Sequence, residues 1–220
     1  MAVNAVQEAL RAAFGRWGCP GQLRVDNGHP WGATGGLPTA LALWAAGLGV
    51  PTHHNRPHCP QSNGVVESSQ GVTQRWVEAA SCADLAQLRQ RVAEEDQVQR
   101  ECYPAILGQS RRAAYPGLLH TGRGYCRQWE EMVWDVGEAL RYLSARRVRR
   151  KVSPVGKVSL YNRMVMVGRG WAGQRVEVQL AVADGAPQWV VSTSGGQEIR
   201  RRPAPGLSQE EIVALRVARA

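Results

Sequence analysis

His58-Cys59-Pro60-Gln61-Ser62-Asn63-Gly64-Val65-Val66-Glu67 reads as the entry to a helix. Ser62 and Asn63 carry side-chain oxygens of the kind that accept from the orphan N–H groups of a first turn, and helical spacing continues to about Ala80. On this helix Val65, Val72 and Trp76 fall on one face, with Ser69 and Ala80 adjoining. Glu67, Gln70 and Gln74 fall on another, so Glu67 is expected to point away from the core. Working upstream, Gly49 to His54 reads as a strand and Pro38 to Leu48 as an apolar helix with its proline in the first turn. Asn27-Gly28 and the glycines from Gly32 to Gly36 make a loop. Leu23-Arg24-Val25 is a short buried strand ending at Asp26. Before it, Ala5, Leu10, Ala13, Phe14 and Trp17 recur at helical spacing until Gly18 and Pro20 stop the run.

None of the 40 residues between Asp26 and Glu67 is acidic. Two carboxylates isolated in an apolar, His-containing stretch suit a metal cleft, because a strand end fixes one ligand and a helix presents the other. Oxygen donors of this type favour Mg2+ or Mn2+, and two such ions roughly 4 Å apart support in-line phosphoryl transfer. Spacing alone allows a plainer reading with equal force: Asp26 opens a turn with Asn27-Gly28, and Glu67 occupies an exposed helix position. The run His53-His54-Asn55-Arg56-Pro57-His58-Cys59 also places four potential zinc ligands within seven residues. Zinc sites usually draw on two separated pairs, so the end of a strand and the loop after it is the favoured reading there.

The second half has a different texture. A helix from Ala83 to Tyr103, a Gly/Pro/Arg connection from Pro104 to Gly124, and a helix from Gln128 to Ala145 lead into short alternating runs. The last helix has Trp129, Met132, Val133, Val136, Leu140 and Leu143 on its apolar side. The runs are Arg147–Val152, Lys157–Tyr161, Arg163–Val167, Gln174–Leu180, Gln188–Ser192 and Gln197–Arg201, punctuated by Pro154, Gly168, Asp184-Gly185 and Gly195-Gly196. They predict a small all-β barrel. Ser208-Gln-Glu-Glu211 resembles a capping box opening a last helix to Arg219. Residues 1–110 hold 8 Lys/Arg against 9 Asp/Glu, whereas residues 111–220 hold 19 against 9. All the excess positive charge therefore lies in the second half, almost entirely as arginine, the residue suited to bidentate phosphate contacts.

Asp-Asn-Gly after a buried strand, followed by Pro-Gln-Ser-Asn-Gly-x-x-Glu opening a helix, resembles the last two acidic motifs of the DDE transposases and retroviral integrases, in particular the integrase catalytic core of bacterial insertion-sequence transposases. The resemblance covers about residues 5 to 80. It implies an α/β partial RNase H-like integrase core over residues 1–82 and a helical linker region over 83–145. A small basic SH3-like β-barrel over 146–206, similar to the C-terminal barrel of some transposases, and a C-terminal helix or tail over 207–220 complete the expectation.

By position, Asp26 matches the family's second metal ligand and Glu67 its third, implying Mg2+ or Mn2+ as cofactor and DNA integration or transposition as the activity. Asn63, Arg75, Arg146, Arg147, Arg149, Arg150, Lys151, Arg200, Arg201 and Arg202 are the expected DNA contacts. Trp171 and Trp189 are available for base stacking, with core packing the stronger expectation for each.

The pattern departs from the family after Glu67. An Arg and then Asn-Gly are often found there, where this chain has Ser68, Ser69 and Gln70-Gly71. A frequent Lys or Arg seven positions on is replaced by Gln74, beside Arg75. Glu8 is the one acidic residue before Asp26, so the chain is expected to begin after the family's first catalytic Asp and to be inactive alone. The expected partners are transposon-end and target DNA, with a second copy or a full-length transposase. The alternative is a non-catalytic DNA-binding or transposase-interacting protein of transposon origin. An RNase H-like nuclease of another kind shares the metal logic but accounts less well for the second motif. The five cysteines form no C-x-x-C pair, which argues against a disulfide framework. No apolar run of about 18 residues is present to span a bilayer. A cytoplasmic protein without a membrane partner is expected.

Overall fold

Leu41-Ala42-Leu43-Trp44-Ala45-Ala46 has no polar face, a pattern that needs protein on every side, and in the computed structural model all six are buried. The structure describes residues 2–32, 35–57, 59–183 and 185–217, with the backbone alone at Pro60, Ser62 and Leu118. His58, Asp184 and Arg219, named in the expectations above, lie outside the described residues, as does the side chain of Ser62.

In chain order the elements are α1 (Val3–Trp17), β1 (Leu23–Val25), α2 (Ala40–Gly47), β2 (Thr52–His54), α3 (Gly64–Val77), α4 (Leu85–Glu101) and α5 (Arg111–Ala114). There follow α6 (Glu130–Val133), α7 (Val136–Ser144), β3 (Arg147–Lys151), β4 (Lys157–Leu160), β5 (Arg163–Met166), β6 (Arg175–Ala183), β7 (Ala186–Ser192), β8 (Glu198–Pro203) and α8 (Gln209–Val213). This is a mixed α/β chain that divides into two compact units. The first comprises Met1–Gly15, Cys19–His54 and Tyr125–Ala220; the second comprises Arg16–Gly18 and Asn55–Gly124.

In the first unit α2 begins where Thr39 caps it, its hydroxyl accepting from the Ala42 N–H at 3.3 Å, and β1 and β2 pair in parallel with Leu23 opposite Thr52 and Val25 opposite His54. Parallel pairing requires a crossover, and α2 lies within the connection. The core runs without a break from Phe14, Leu41 and Trp44 through Leu140 and Leu143 to Val176, Val178 and Trp189.

Residues 128–145, expected as one linker helix, are instead a 3-10 turn, α6 and α7. Trp134 turns extended between the two helices, and the Asp135 carboxylate caps α7 by accepting from Gly137 N–H at 2.7 Å. The break splits the expected apolar face, keeping its second part and adding Trp134 and Ala139. Met132 and Val133 are left exposed while Trp134, Ala139, Leu140 and Leu143 are buried.

The six expected strands all form. β3, β6, β7 and β8 make an antiparallel sheet in that order, and β4 and β5 make a separate hairpin. The hairpin closes through Tyr161 and Asn162, both at positive φ, the two-residue geometry that matches the twist of paired strands. The expected closed barrel is not what these strands build, since among the described residues no ladder joins β8 to β3 or the hairpin to the sheet. Pro203 and Pro205 offer no N–H at the end of β8. Val152, just past β3, spends its backbone groups on Gln174 and Gly173 at 2.8 and 2.9 Å. The hairpin still shares the core, through Val158, Leu160 and Val165. The capping box at Ser208 and Glu211 forms, but α8 stops at Val213.

In the second unit Asp84 caps α4 by accepting from Gln87 N–H at 2.8 Å. The α3–α4 contact is polar where the sequence suggested an apolar stripe. Ser69 donates to Gln99 Oε1 at 3.0 Å, and Gln99 Nε2 donates to Thr73 at 2.8 Å. Gln99 satisfies both hydroxyls at once, so this face can be buried without an apolar seam. Val65 is consequently 79% exposed and Val77 is the buried residue of α3. Trp76 meets Tyr103 edge-on at 5.3 Å.

Candidate functional site

Asp26 follows the last residue of β1 and is exposed. Its Oδ1 accepts from the Gly28 N–H at 3.1 Å, a local turn typical of this residue type, and its carbonyl oxygen lies 3.1 Å from His54 Nδ1 on the paired strand. The turn continues with Gly32 N–H donating to the Gly28 carbonyl at 2.7 Å. Gly32 has no substitute here, because a Cβ would lie 1.8 Å from the Asn27 carbonyl oxygen. Among the described residues no bond is made to Oδ2 of Asp26 and no ion pair engages its carboxylate, which leaves a negative oxygen facing solvent at a strand end.

Glu67 sits in the first turn of α3, exposed, and free of ion pairs among the described residues. The Pro60–Asn63 segment ahead of it is a 3-10 turn. Asn63 occupies the N-cap position but makes no capping bond. Its Oδ1 instead accepts from Asn55 Nδ2 at 2.5 Å, so the carboxamide expected to cap the helix or meet DNA ties the helix entrance to the chain leaving β2. Asp26 belongs to the first unit and Glu67 to the second. Among the described residues no three His, Cys, Asp or Glu side chains converge as a metal-holding group. His53, His54 and Cys59 are exposed.

The arginines are sorted by the pleat. Arg147, Arg149 and Lys151 project from one face of β3 opposite Gln179, Glu177 and Arg175 of β6, and all three are exposed. Arg201 on β8 shares that face through its pairing with Val190. Glu177 bridges Arg147 at 3.3 Å and Arg149 at 3.2 Å, while Glu198 holds Arg201 in a two-pronged pair at 2.9 and 3.0 Å. The Glu198–Arg201 pair is exposed on both sides and contributes about 0–1 kcal/mol, so a phosphate can displace it at little cost, whereas Glu177 is largely covered and only its arginine partners are exposed.

Arg150 points the other way. Its guanidinium donates to the carbonyls of Ser159 at 3.2 Å, Arg149 at 3.1 Å and Gly35 at 2.5 Å. Burial lowers its pKa, and its donors hold the strand in place where the sequence suggested a phosphate contact. Arg200 and Arg202 lie on the register positions of Val191 and Trp189, the opposite face from Arg201. Arg146 stacks over Tyr142 at 5.2 Å and donates to its hydroxyl at 3.2 Å. Arg75 is exposed in the last turn of α3. Trp189 is buried in the core and Trp171 packs half-buried against it, so core packing is what both do.

No protein-family model matches this chain.

One polar cluster went unread in the sequence. Glu130 is 2% exposed and accepts from five donors: Arg11 Nε at 2.8 Å, a second Arg11 nitrogen, the Tyr125 hydroxyl, Trp44 Nε1 at 3.2 Å and Arg127 at 3.3 Å. Burial pushes the Glu130 carboxyl up, but the hydrogen bonds from Arg11 and Tyr125 outweigh it and hold the group below its ordinary value. Burial and the bond to Glu130 both raise the Tyr125 pKa. For Arg11, burial pulls down and the bonds to Glu130 and Glu8 overcome it. The available signal was Gln7 and Arg11 preceding Phe14 at spacings of four and three, polar residues on what had to be the inward face of α1. Among the described residues no helix is long and apolar enough to cross a membrane.

Proposed function

We propose that this chain acts on DNA in the manner of the DDE transposases and integrases, with Asp26 and Glu67 each a candidate carboxylate ligand for a divalent metal and the β3–β6–β7–β8 sheet as a phosphate-binding surface. The single observation that carries the reading is that the two acids of the resembling motifs sit exposed, unpaired among the described residues, one at a strand end and one in a first helical turn. The parallel pair β1–β2 with α2 in its connection is the kind of unit an RNase H-like core contains. The sheet and hairpin after Arg146 are compatible with an opened SH3-like module.

Two exposed carboxylates fit Mg2+ or Mn2+ as oxygen donors. A bound ion pair would supply activation of a water or a DNA 3′-hydroxyl and stabilisation of the leaving 3′-oxygen. Glu8, the acid that precedes Asp26, is taken by Arg11 at 2.5 Å and Arg127 at 3.5 Å. With two carboxylates the metal pair is held poorly, so strand transfer into plasmid DNA by this chain alone is expected to be at or near background.

Binding is the direct test. Affinity for duplex DNA should fall steeply with salt, and Arg147→Ala and Arg149→Ala should each weaken binding to any sequence alike and reduce the slope of log K against log salt by roughly one. A wild-type affinity independent of salt would sink the reading. Metal dependence then separates the two roles. If Mn2+ tightens binding to a DNA 3′ end and Asp26→Asn or Glu67→Gln removes the gain, the carboxylates act on metal. If both substitutions change nothing while the arginine substitutions abolish binding, the chain is a non-catalytic DNA-binding protein.

A further inference from the structure

A cavity of about 200 Å3 is lined by Asn27, the residue after Asp26, and among others by Trp31, Pro38, His54, Tyr142 and Arg146. All of these residues belong to the first unit. The cavity is smaller than the roughly 300–1,000 Å3 of drug-sized ligand sites, and of the scale of one unstacked base. Its chemistry is divided. Arg146 supplies a guanidinium at the rim, steadied over the Tyr142 ring, with Tyr142 in turn fixed by donating to the Thr52 carbonyl at 2.9 Å. His54 brings an imidazole whose Nδ1–H donates to the Asp26 carbonyl oxygen at 3.1 Å, which leaves Nε2 as an acceptor for an N–H on the edge of a base. Trp31 and Pro38 give the apolar wall, with the Trp31 backbone N–H held by the Gly28 carbonyl at 3.0 Å.

A fixed cation, an imidazole and an indole around a base-sized hollow match the three parts of a nucleotide: an anionic phosphate, a polar edge and a flat π-face. We propose that this cavity holds one unpaired DNA nucleotide, with its phosphate on Arg146, the polar edge of its base at His54 and the face of its base against Trp31. The inference rests on the DNA-acting reading above and narrows its substrate to ends that can present an unstacked nucleotide. A blunt duplex keeps its terminal base paired and must pay the unstacking cost before the cavity can be filled. An end with a single-nucleotide overhang does not pay it.

The test compares binding of the full chain to a blunt duplex and to the same duplex carrying a one-nucleotide 2-aminopurine overhang. The expected result is a preference of roughly tenfold or more for the overhang, accompanied by quenching of the 2-aminopurine emission as it stacks. Trp31→Ala should remove both the preference and the quench and leave blunt-duplex affinity within about twofold, while Trp31→Phe should restore most of the preference. Because Trp31 also packs against the core, Arg146→Gln provides the second arm and should cut the overhang preference without altering the thermal transition. Equal affinity for the two ends, with ordinary salt-dependent binding to both, would overturn the nucleotide pocket and leave the DNA-acting reading standing. No binding to either duplex would overturn both.

Discussion

Glu130→Ala is expected to cost about 3–5 kcal/mol of folding stability, the range for removing one partner of a buried ion pair, out of the roughly 5–15 kcal/mol typical of a whole domain. The cause lies less in the lost attraction than in what is left behind. Arg11 is buried beside the Trp44 ring, and without Glu130 its charge keeps, among the described residues, Gln7 at 2.9 Å and Glu8 at 2.5 Å. The Trp44 indole N–H and the Tyr125 hydroxyl lose their acceptor in the same step. A denaturant midpoint lower by an amount equivalent to several kcal/mol, at unchanged slope, is the expected reading. Replacing both partners, Arg11→Leu with Glu130→Leu, should recover part of the loss, because the uncompensated Arg11 charge is gone while the Trp44 N–H and Tyr125 hydroxyl still lack their acceptor. A single Glu130→Ala within 1 kcal/mol of wild type would refute the account. The pH dependence has a fixed sign. Glu130 has a depressed folded-state pKa, so its contribution is fully present above the ordinary carboxylate value and is lost as pH falls through the folded value. Acid should therefore unfold the wild type more sharply than the Leu-Leu variant.

Gly47→Ala should destabilise by roughly 1–3 kcal/mol, the usual cost of overpacking, although Ala is favoured over Gly in a helix by about 0.8–1 kcal/mol. The sign is what tests the structure. A Cβ on Gly47 would lie 2.1 Å from Trp134 Cε2 and 2.3 Å from its Nε1, and that indole is buried and donates to the Trp44 carbonyl at 2.9 Å. A rigid ring with a fixed hydrogen bond cannot step aside as a lysine end would. Trp134 must leave its niche, and the Asp135 N–H bond to the Gly47 carbonyl at 2.9 Å goes with it. A thermal midpoint raised by the substitution would show that the close approach of α2 and Trp134 is wrong, since propensity alone would then be in control.

The parts of this protein written locally were legible in the residues themselves. The six strand runs after Arg146, the Asp26 strand end, the Glu67 helix and the Ser208 capping box depend on alternation, turn residues and side chains reaching a few positions along the chain, and each lies where those signals put it. Glu67 was expected to be exposed and is, but for a different reason. The face of α3 that is covered is the polar one facing Gln99, a partner 30 residues from Ser69, and no periodicity encodes that. Trp134 dropping between α6 and α7 depends on the absence of a side chain at Gly47, and Arg150 turning to the Gly35 carbonyl crosses 115 residues. Glu130 is the plainest case. Next to Glu131 in sequence it reads as surface charge, and only the arrival of Arg11 from 119 positions away, with Trp44 and Tyr125, makes a buried carboxylate tolerable. The sequence by itself determined most of the elements, the break between α6 and α7 aside, together with the two exposed acids and the arginine-rich half, because those follow from the periodicity and chemistry of near neighbours. The tertiary structure alone decided which polar groups are buried, which arginines face solvent and where the sheet stops, because each of these is set by partners that folding brings together.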